Sequence, residues 1–90
     1  MIIESNNSKI TISFDEILSI CSVEKDFQKI RDFFRIKSNI NEFQINLENI
    51  KKIDACYYQF LLSLIFTLNN KKIKGEINKS EIFRNIENLF

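Results

Sequence analysis

Histidine and proline are missing from this chain of 90 residues, and glycine occurs once. Without histidine, the commonest metal ligand and general base near neutral pH is gone. The two cysteines, Cys21 and Cys56, form no CxxC pair, so a zinc site has too few ligands. No nucleophile–base pair and no glycine-rich phosphate loop stand anywhere in the chain, so no catalytic residue, metal ligand or cofactor site is assigned. An excess of one charge is lacking too: 13 basic against 12 acidic residues leave a net charge of +1. That balance predicts no pull toward nucleic acid or an anionic membrane. Long hydrophobic runs are also absent. The most apolar window, Tyr57 to Leu68, includes Gln59, Ser63 and Thr67, which makes it too short and too polar to span a bilayer. The first ten residues carry Glu4 and the polar run Ser5-Asn6-Asn7-Ser8, without the basic and apolar regions of a signal peptide. The thiols fit a reducing compartment, where cysteine behaves as a small buried hydrophobe. A cytoplasmic protein without membrane insertion is expected.

What is present is enough for one small domain over residues 1–90. Hydrophobic residues make up 44% of the chain and include nine Phe, and a domain of this size buries roughly 60% of its unfolded surface. Ile2-Ile3 suggests a short first strand, ended by the turn-forming run from Ser5 to Ser8. Ile10, Ile12 and Phe14 alternate with Thr11 and Ser13, the period-two pattern of a strand with one buried face. The pattern from Asp15 to Cys21 fits an irregular turn or an early helix equally well. Ser22 is placed as an N-cap, with Glu24 and Asp26 complementing the helix dipole in the first turn. Val23, Phe27, Ile30 and Phe34 then recur at helical spacing as a buried stripe, and the helix frays near Lys37 to Asn41.

The most informative stretch runs from Glu42 to Asn70. Phe43, Ile45 and Leu47 alternate with Gln44 and Asn46 as a second half-buried strand. Asn49 and Lys51-Lys52 mark a turn, Ile53 returns to the core, and Asp54 stands where a helix N-cap belongs. Projecting the following helix at about 100° per residue puts Cys56, Gln59, Ser63, Thr67 and Asn70 on one polar stripe. Tyr58, Leu61, Leu62, Ile65 and Leu68 lie opposite and are expected to face the sheet. Phe60 and Phe66 flank the polar stripe. A polar strip edged by large aromatics has the anatomy of a protein interface, although neighbouring elements could equally cover both rings. Beyond a basic turn at Lys71, Lys72 and Lys74, Gly75 leads into a strand around Glu76 to Asn78. Ser80 then caps a last helix with Ile82, Phe83, Ile86, Leu89 and Phe90 on one face. No aromatic residue interleaves with the three lysines, so a solvated turn is favoured over a nucleic-acid patch.

The order is β-β-α-β-α-β-α, an α/β fold with a small mixed sheet of about four strands packed against helices. The strand Phe43–Leu47, the Ile53-Asp54 junction, the helix with Leu61-Leu62, then Gly75, a strand and a Ser-capped helix together resemble a STAS domain. That is the fold of anti-sigma-factor antagonists and of sulfate-transporter tails. The likeness covers residues 42–90 better than the first forty, and a ferredoxin-like α/β sandwich is the competing fold. In phosphorylated STAS proteins a hydroxyl follows the Asp by one or two residues, at a helix N-terminus that tolerates the added charge. Here the run is Asp54-Ala55-Cys56-Tyr57, so Ala55 and Cys56 occupy the phosphoacceptor positions and neither can act as one. Cys56 is either a small packed residue or a redox-responsive thiol favoured by the helix terminus. The resemblance thus implies a non-catalytic interaction module in bacterial signalling or chemotaxis, with no kinase-controlled switch and no cofactor. Its partner would be a switch kinase, a chemotaxis protein or a transporter component, bound through Cys56, Gln59, Phe60, Ser63, Phe66 and Thr67. A homodimer is compatible with this reading. The alternatives are a STAS subunit of an ABC-type lipid transport system and a small nucleic-acid-binding α/β domain.

Overall fold

The computed structural model describes residues 1–36, 39–71 and 73–88. Strand β1 (Ile2–Asn6) pairs antiparallel with β2 (Lys9–Ser13). The two-residue connection places Asn7 at φ 57°, the left-handed region that Asn tolerates better than most residues. After β2 come a two-residue strand β3 (Ile17–Leu18) and helix α1 (Ile20–Ile36). Strand β4 (Glu42–Leu47), a second two-residue strand β5 (Lys52–Ile53) and helix α2 (Ala55–Asn70) follow. Strand β6 (Lys74–Lys79) and helix α3 (Glu81–Glu87) complete the described order. The main sheet runs β1-β2-β4-β6; β4 lies parallel to β2 on one side and to β6 on the other. This is the α/β architecture expected, a four-stranded mixed sheet with three helices.

Register explains the distribution of apolar side chains. Ile3, Ile12, Ile45 and Ile77 face one another across four strands, and Ile10 pairs with Phe43 in the same layer. Side chains alternate between faces along a strand, so this layer meets the helices, and Ile10, Ile12, Phe43, Ile45 and Leu47 are all buried. They join Leu18, Ile30, Ile53, Tyr57, Leu61, Leu68 and Phe83 in a single core. Phe43 also lies over Gly75, its cross-strand partner, and fills the space that a side chain would take there. The opposite face of the sheet is polar. On it Asn46 Nδ2 donates to Ser13 Oγ (3.2 Å), and Asn46 Oδ1 accepts from Asn78 Nδ2 (2.8 Å) and Gln44 Nε2 (3.0 Å).

The ambiguous segment after Phe14 resolves into β3, which pairs parallel with β5. Lys52 N donates to Glu16 O at 3.0 Å and Asp54 N to Leu18 O at 3.0 Å. Helix α1 starts at Ile20, three residues before the Val23 start that a Ser22 cap implies. Ser22 is therefore not its N-cap; the Ser22 hydroxyl donates to Ser19 O at 3.1 Å from inside the first turn. Asp26 moves with the frame: it does not complement the dipole in the first turn but is buried. Ser80 does cap α3, accepting from Phe83 N at 3.0 Å. The remaining face assigned to that helix, through the side chains of Ile82, Ile86, Leu89 and Phe90, lies outside the described residues, as do Lys37 and Lys72.

Candidate functional site

Helix α2 is fixed first at its N-terminus. Asp54 adopts extended backbone (φ −90°, ψ 169°) and its Oδ1 accepts from Tyr57 N at 2.8 Å, the N-cap arrangement expected. Its other oxygen, Oδ2, accepts from Ile20 N at 2.6 Å. One carboxylate therefore satisfies an orphan donor on each of two helices and holds the start of α1 beside the start of α2. The β3–β5 pair brings the two starts together.

A second polar link ties the same helices below the surface. Tyr57 is fully buried and its hydroxyl donates to Asp26 Oδ2 at 2.5 Å. Burial, reinforced by the hydrogen bond and the nearby Asp26 and Asp15 charges, raises the Tyr57 pKa above the usual tyrosine range. The hydroxyl stays protonated and acts as donor. Sequence reasoning missed this pair, because the partners lie 31 positions apart and a lone carboxylate reads by default as a surface residue.

The faces of α2 differ in part from the projection. Tyr58, Leu61 and Leu68 are buried as expected, but Leu62 is 48% exposed, and Tyr57 and Leu64 are buried instead. The buried arc is turned toward α1, because Tyr57 and Leu64 lie on the side that α1 covers. Cys56, Gln59, Ser63, Thr67 and Asn70 are exposed. The flanking rings do not behave alike. Phe66 is 67% exposed, whereas Phe60 is half-buried and makes edge contacts with Tyr57 (centroids 5.4 Å apart) and Phe27 (6.2 Å). Phe27, assigned to the core stripe of α1, is 49% exposed. Both cysteines are free and exposed, so Cys56 is not a small packed residue.

Between α1 and α2 lies a groove of about 240 Å³. Ile30, Leu64 and Leu68 form its floor, Phe27, Phe34 and Phe60 its walls, and Arg31, Ser63, Thr67 and Lys71 its rim. Of the docking residues named from sequence, Phe60, Ser63 and Thr67 come together here. Cys56, Gln59 and Phe66 do not line it; Gln59 borders a separate depression with Ala55, Tyr58 and Leu62. The α1 half of the groove was not anticipated. Its signal was Arg31 and Phe27, four residues apart on one helix face.

Lys71 and Lys74, the described lysines of the basic turn, have different surroundings. Lys71 Nζ lies 5.4 Å from the Phe34 ring centre, beside the groove, while Lys74 pairs with Glu42 across the sheet. Among the described residues, no helix is long and apolar enough to cross a membrane. No family model, curated protein or solved structure matches the chain.

Proposed function

We propose that this chain is a non-catalytic protein-interaction module of the STAS type, working in the cytoplasm, which binds a partner through the outer surface of α2 and the adjoining groove. The observation that carries the reading is the aromatic-walled groove beside the exposed strip of Ser63 and Thr67. Large apolar rings left accessible beside small polar residues are the usual anchor points of a protein interface. The element order and the Asp54 cap at the head of α2 support the STAS comparison. Ala55 and Cys56 follow that cap where a phosphoacceptor hydroxyl would stand. Binding through this surface is accordingly constitutive, unlike that of STAS proteins switched by a serine kinase.

Burying one such ring against a partner contributes roughly 1.5–3 kcal/mol by transfer alone. A bulky charge at the rim should forfeit that gain without touching the core. Affinity purification from native extract would compare the chain with its Ser63→Arg variant, alongside thermal melts. The expected result is one stoichiometric protein partner, lost in the variant, with stability changed by no more than about 0.5 kcal/mol. Leu61→Ala, by contrast, should cost roughly 2–5 kcal/mol as a buried truncation. Equal recovery of the partner by the Ser63→Arg variant would move the docking surface elsewhere, and recovery of no protein would refute the module reading.

A further inference from the structure

We propose that the groove between α1 and α2 seats an acidic amphipathic helix supplied by the partner. The inference rests on the reading of the chain as an interaction module and names the chemistry of what binds there. Its basis is charge and shape together. Ten described residues line the groove, and none of them is acidic; two are basic, Arg31 from α1 and Lys71 at the C-cap of α2. Among the described residues, neither cation is neutralised in place. Lys71 lies against the Phe34 ring. The carboxylate nearest Arg31 is its chain neighbour Asp32, at 3.9 Å with both side chains more than half exposed, and such a pair contributes little. The whole chain carries a net charge of only +1, so this basic rim is a local feature and not part of a general positive surface.

Shape selects the kind of acid. The lining positions recur at helical spacing, Phe27, Ile30 and Phe34 from α1 and Phe60, Leu64 and Leu68 from α2. At about 1.5 Å per residue the groove therefore runs for two to three helical turns. Phe27 is 49% exposed, and Arg31, Ser63, Thr67 and Lys71 along the rim are exposed as well, so the groove is open to solvent and would leave much of a lone acyl chain in water. A helix fits better. Its apolar residues at i, i+3/i+4 and i+7 would lie over Ile30, Leu64 and Leu68, as in other helix-in-groove complexes. Ser63 and Thr67, with small side chains and the Thr67 hydroxyl already donating to Ser63 O (2.8 Å), leave its backbone room to approach. Carboxylates on its flanks would then reach Arg31 and Lys71. The polar face of the sheet is a weaker candidate, since its central amides already bond one another.

The test is a display selection on the whole chain, using amphipathic peptides of about 14 residues, four turns of helix, with flanking positions randomised without charge bias. The best peptide and a version with its acids changed to Gln would then be titrated against the wild-type chain and an Arg31→Gln/Lys71→Gln variant. Both substituted positions are exposed, and thermal melts would check that the variant folds. Enriched peptides should be acidic, and the Gln version should bind the wild type about two- to thirty-fold more weakly, the range two surface ion pairs supply. In the double variant the two versions should bind equally. A photo-crosslinking residue in place of Phe27 should attach to the peptide. Neutral or basic winners, equal binding of both versions to the wild type, or crosslinking only from a probe at Leu62 would each overturn the proposal and leave the module reading standing. Binding of decanoate with no peptide enriched would overturn it in favour of a small acyl ligand. Failure to enrich any peptide, together with recovery of no partner from extract, would sink both readings.

Discussion

The hydrogen bond between Tyr57 and Asp26 is the feature most open to quantitative attack. The ring of Tyr57 is fully buried, and Asp26 is 6% exposed, so water cannot replace either partner easily. Tyr57→Phe keeps the ring, and with it the edge contacts to Phe14 and Phe60, while removing the donor from the carboxylate. A hydrogen bond to a charged group contributes about 1.5–3 kcal/mol, and stranding a buried acceptor adds its desolvation cost. A loss of about 2–3 kcal/mol is therefore expected, a large share of the 5–15 kcal/mol typical of a folded domain. Asp26→Leu strands the hydroxyl instead and should cost about 1–3 kcal/mol. Combining the two replaces both polar groups with apolar ones, so the double variant should recover to within about 1 kcal/mol of wild type, a coupling of about 2–6 kcal/mol. Urea unfolding followed by far-ultraviolet circular dichroism measures all four corners without depending on tyrosine emission. Losses that simply add, or a Tyr57→Phe midpoint equal to wild type, would refute the reasoning.

Other consequences can be checked with the same assay. Asp54→Ala removes an acceptor from both Tyr57 N and Ile20 N; at about 1 kcal/mol per cap the loss should reach about 2 kcal/mol, and a loss under about 0.5 kcal/mol would show that α1 does not depend on this residue. Gly75→Ala places a Cβ in the space that the Phe43 ring occupies. The ring must then move, at a cost of about 1–3 kcal/mol, and a crystal structure of the variant should show Phe43 displaced; an unmoved ring at unchanged stability would count against this packing. At alkaline pH the unfolded chain ionises its tyrosine near about pH 10, while folded Tyr57 holds its proton to higher pH. The folded state then binds more protons, so stability falls as pH rises above that point, by about 1.4 kcal/mol at pH 11 from this group. Subtracting the Tyr57→Phe curve removes the titration of other groups, and a flat difference between about pH 9 and pH 11 would contradict the raised pKa.

The parts of this fold that were legible in the sequence are those carried by short-range chemistry. Alternation at Phe43, Ile45 and Leu47 set the face of the central strand, and all three are buried. Asp54 and Ser80 could be read as caps because capping is decided within three residues. Two-residue strands such as Ile17–Leu18 have no periodicity to read, and that is where the start of α1 was misplaced. The lean of α2 was hidden for another reason. From Tyr57 to Leu68 nine of the twelve residues are apolar or aromatic and they surround the polar stripe on both sides, so a helical projection finds no sharp edge to its buried arc, and only contact with α1 selects Leu64 over Leu62. Asp26 and Phe27 depend wholly on tertiary partners. A buried carboxylate needs its distant donor, and a ring at core spacing is left accessible when α2 presents Phe60 at its edge.

These same tertiary links bear on how the groove can work. Asp54 joins the two helix starts by two hydrogen bonds, and the Tyr57–Asp26 bond joins the helices again about two turns along α1. Apolar packing alone tolerates small sliding of one helix past another, since many registers bury similar area; directional bonds at two levels do not. Both links reach α2 in its first turn, so that end of it is held against α1, and Phe27 and Phe60, which follow Asp26 and Tyr57 in the chain, keep their edge contact before any partner arrives. A partner helix then meets a preformed seat and loses less to ordering the module than it would on a loose helix pair. The polar pair is thus better understood through the shape it imposes than through net stability, because an apolar replacement of similar size can fold equally well. It follows that the Asp26→Leu/Tyr57→Phe variant should keep most of its stability yet bind the partner helix more weakly than wild type. Unchanged affinity in that variant would show that apolar packing alone fixes the groove.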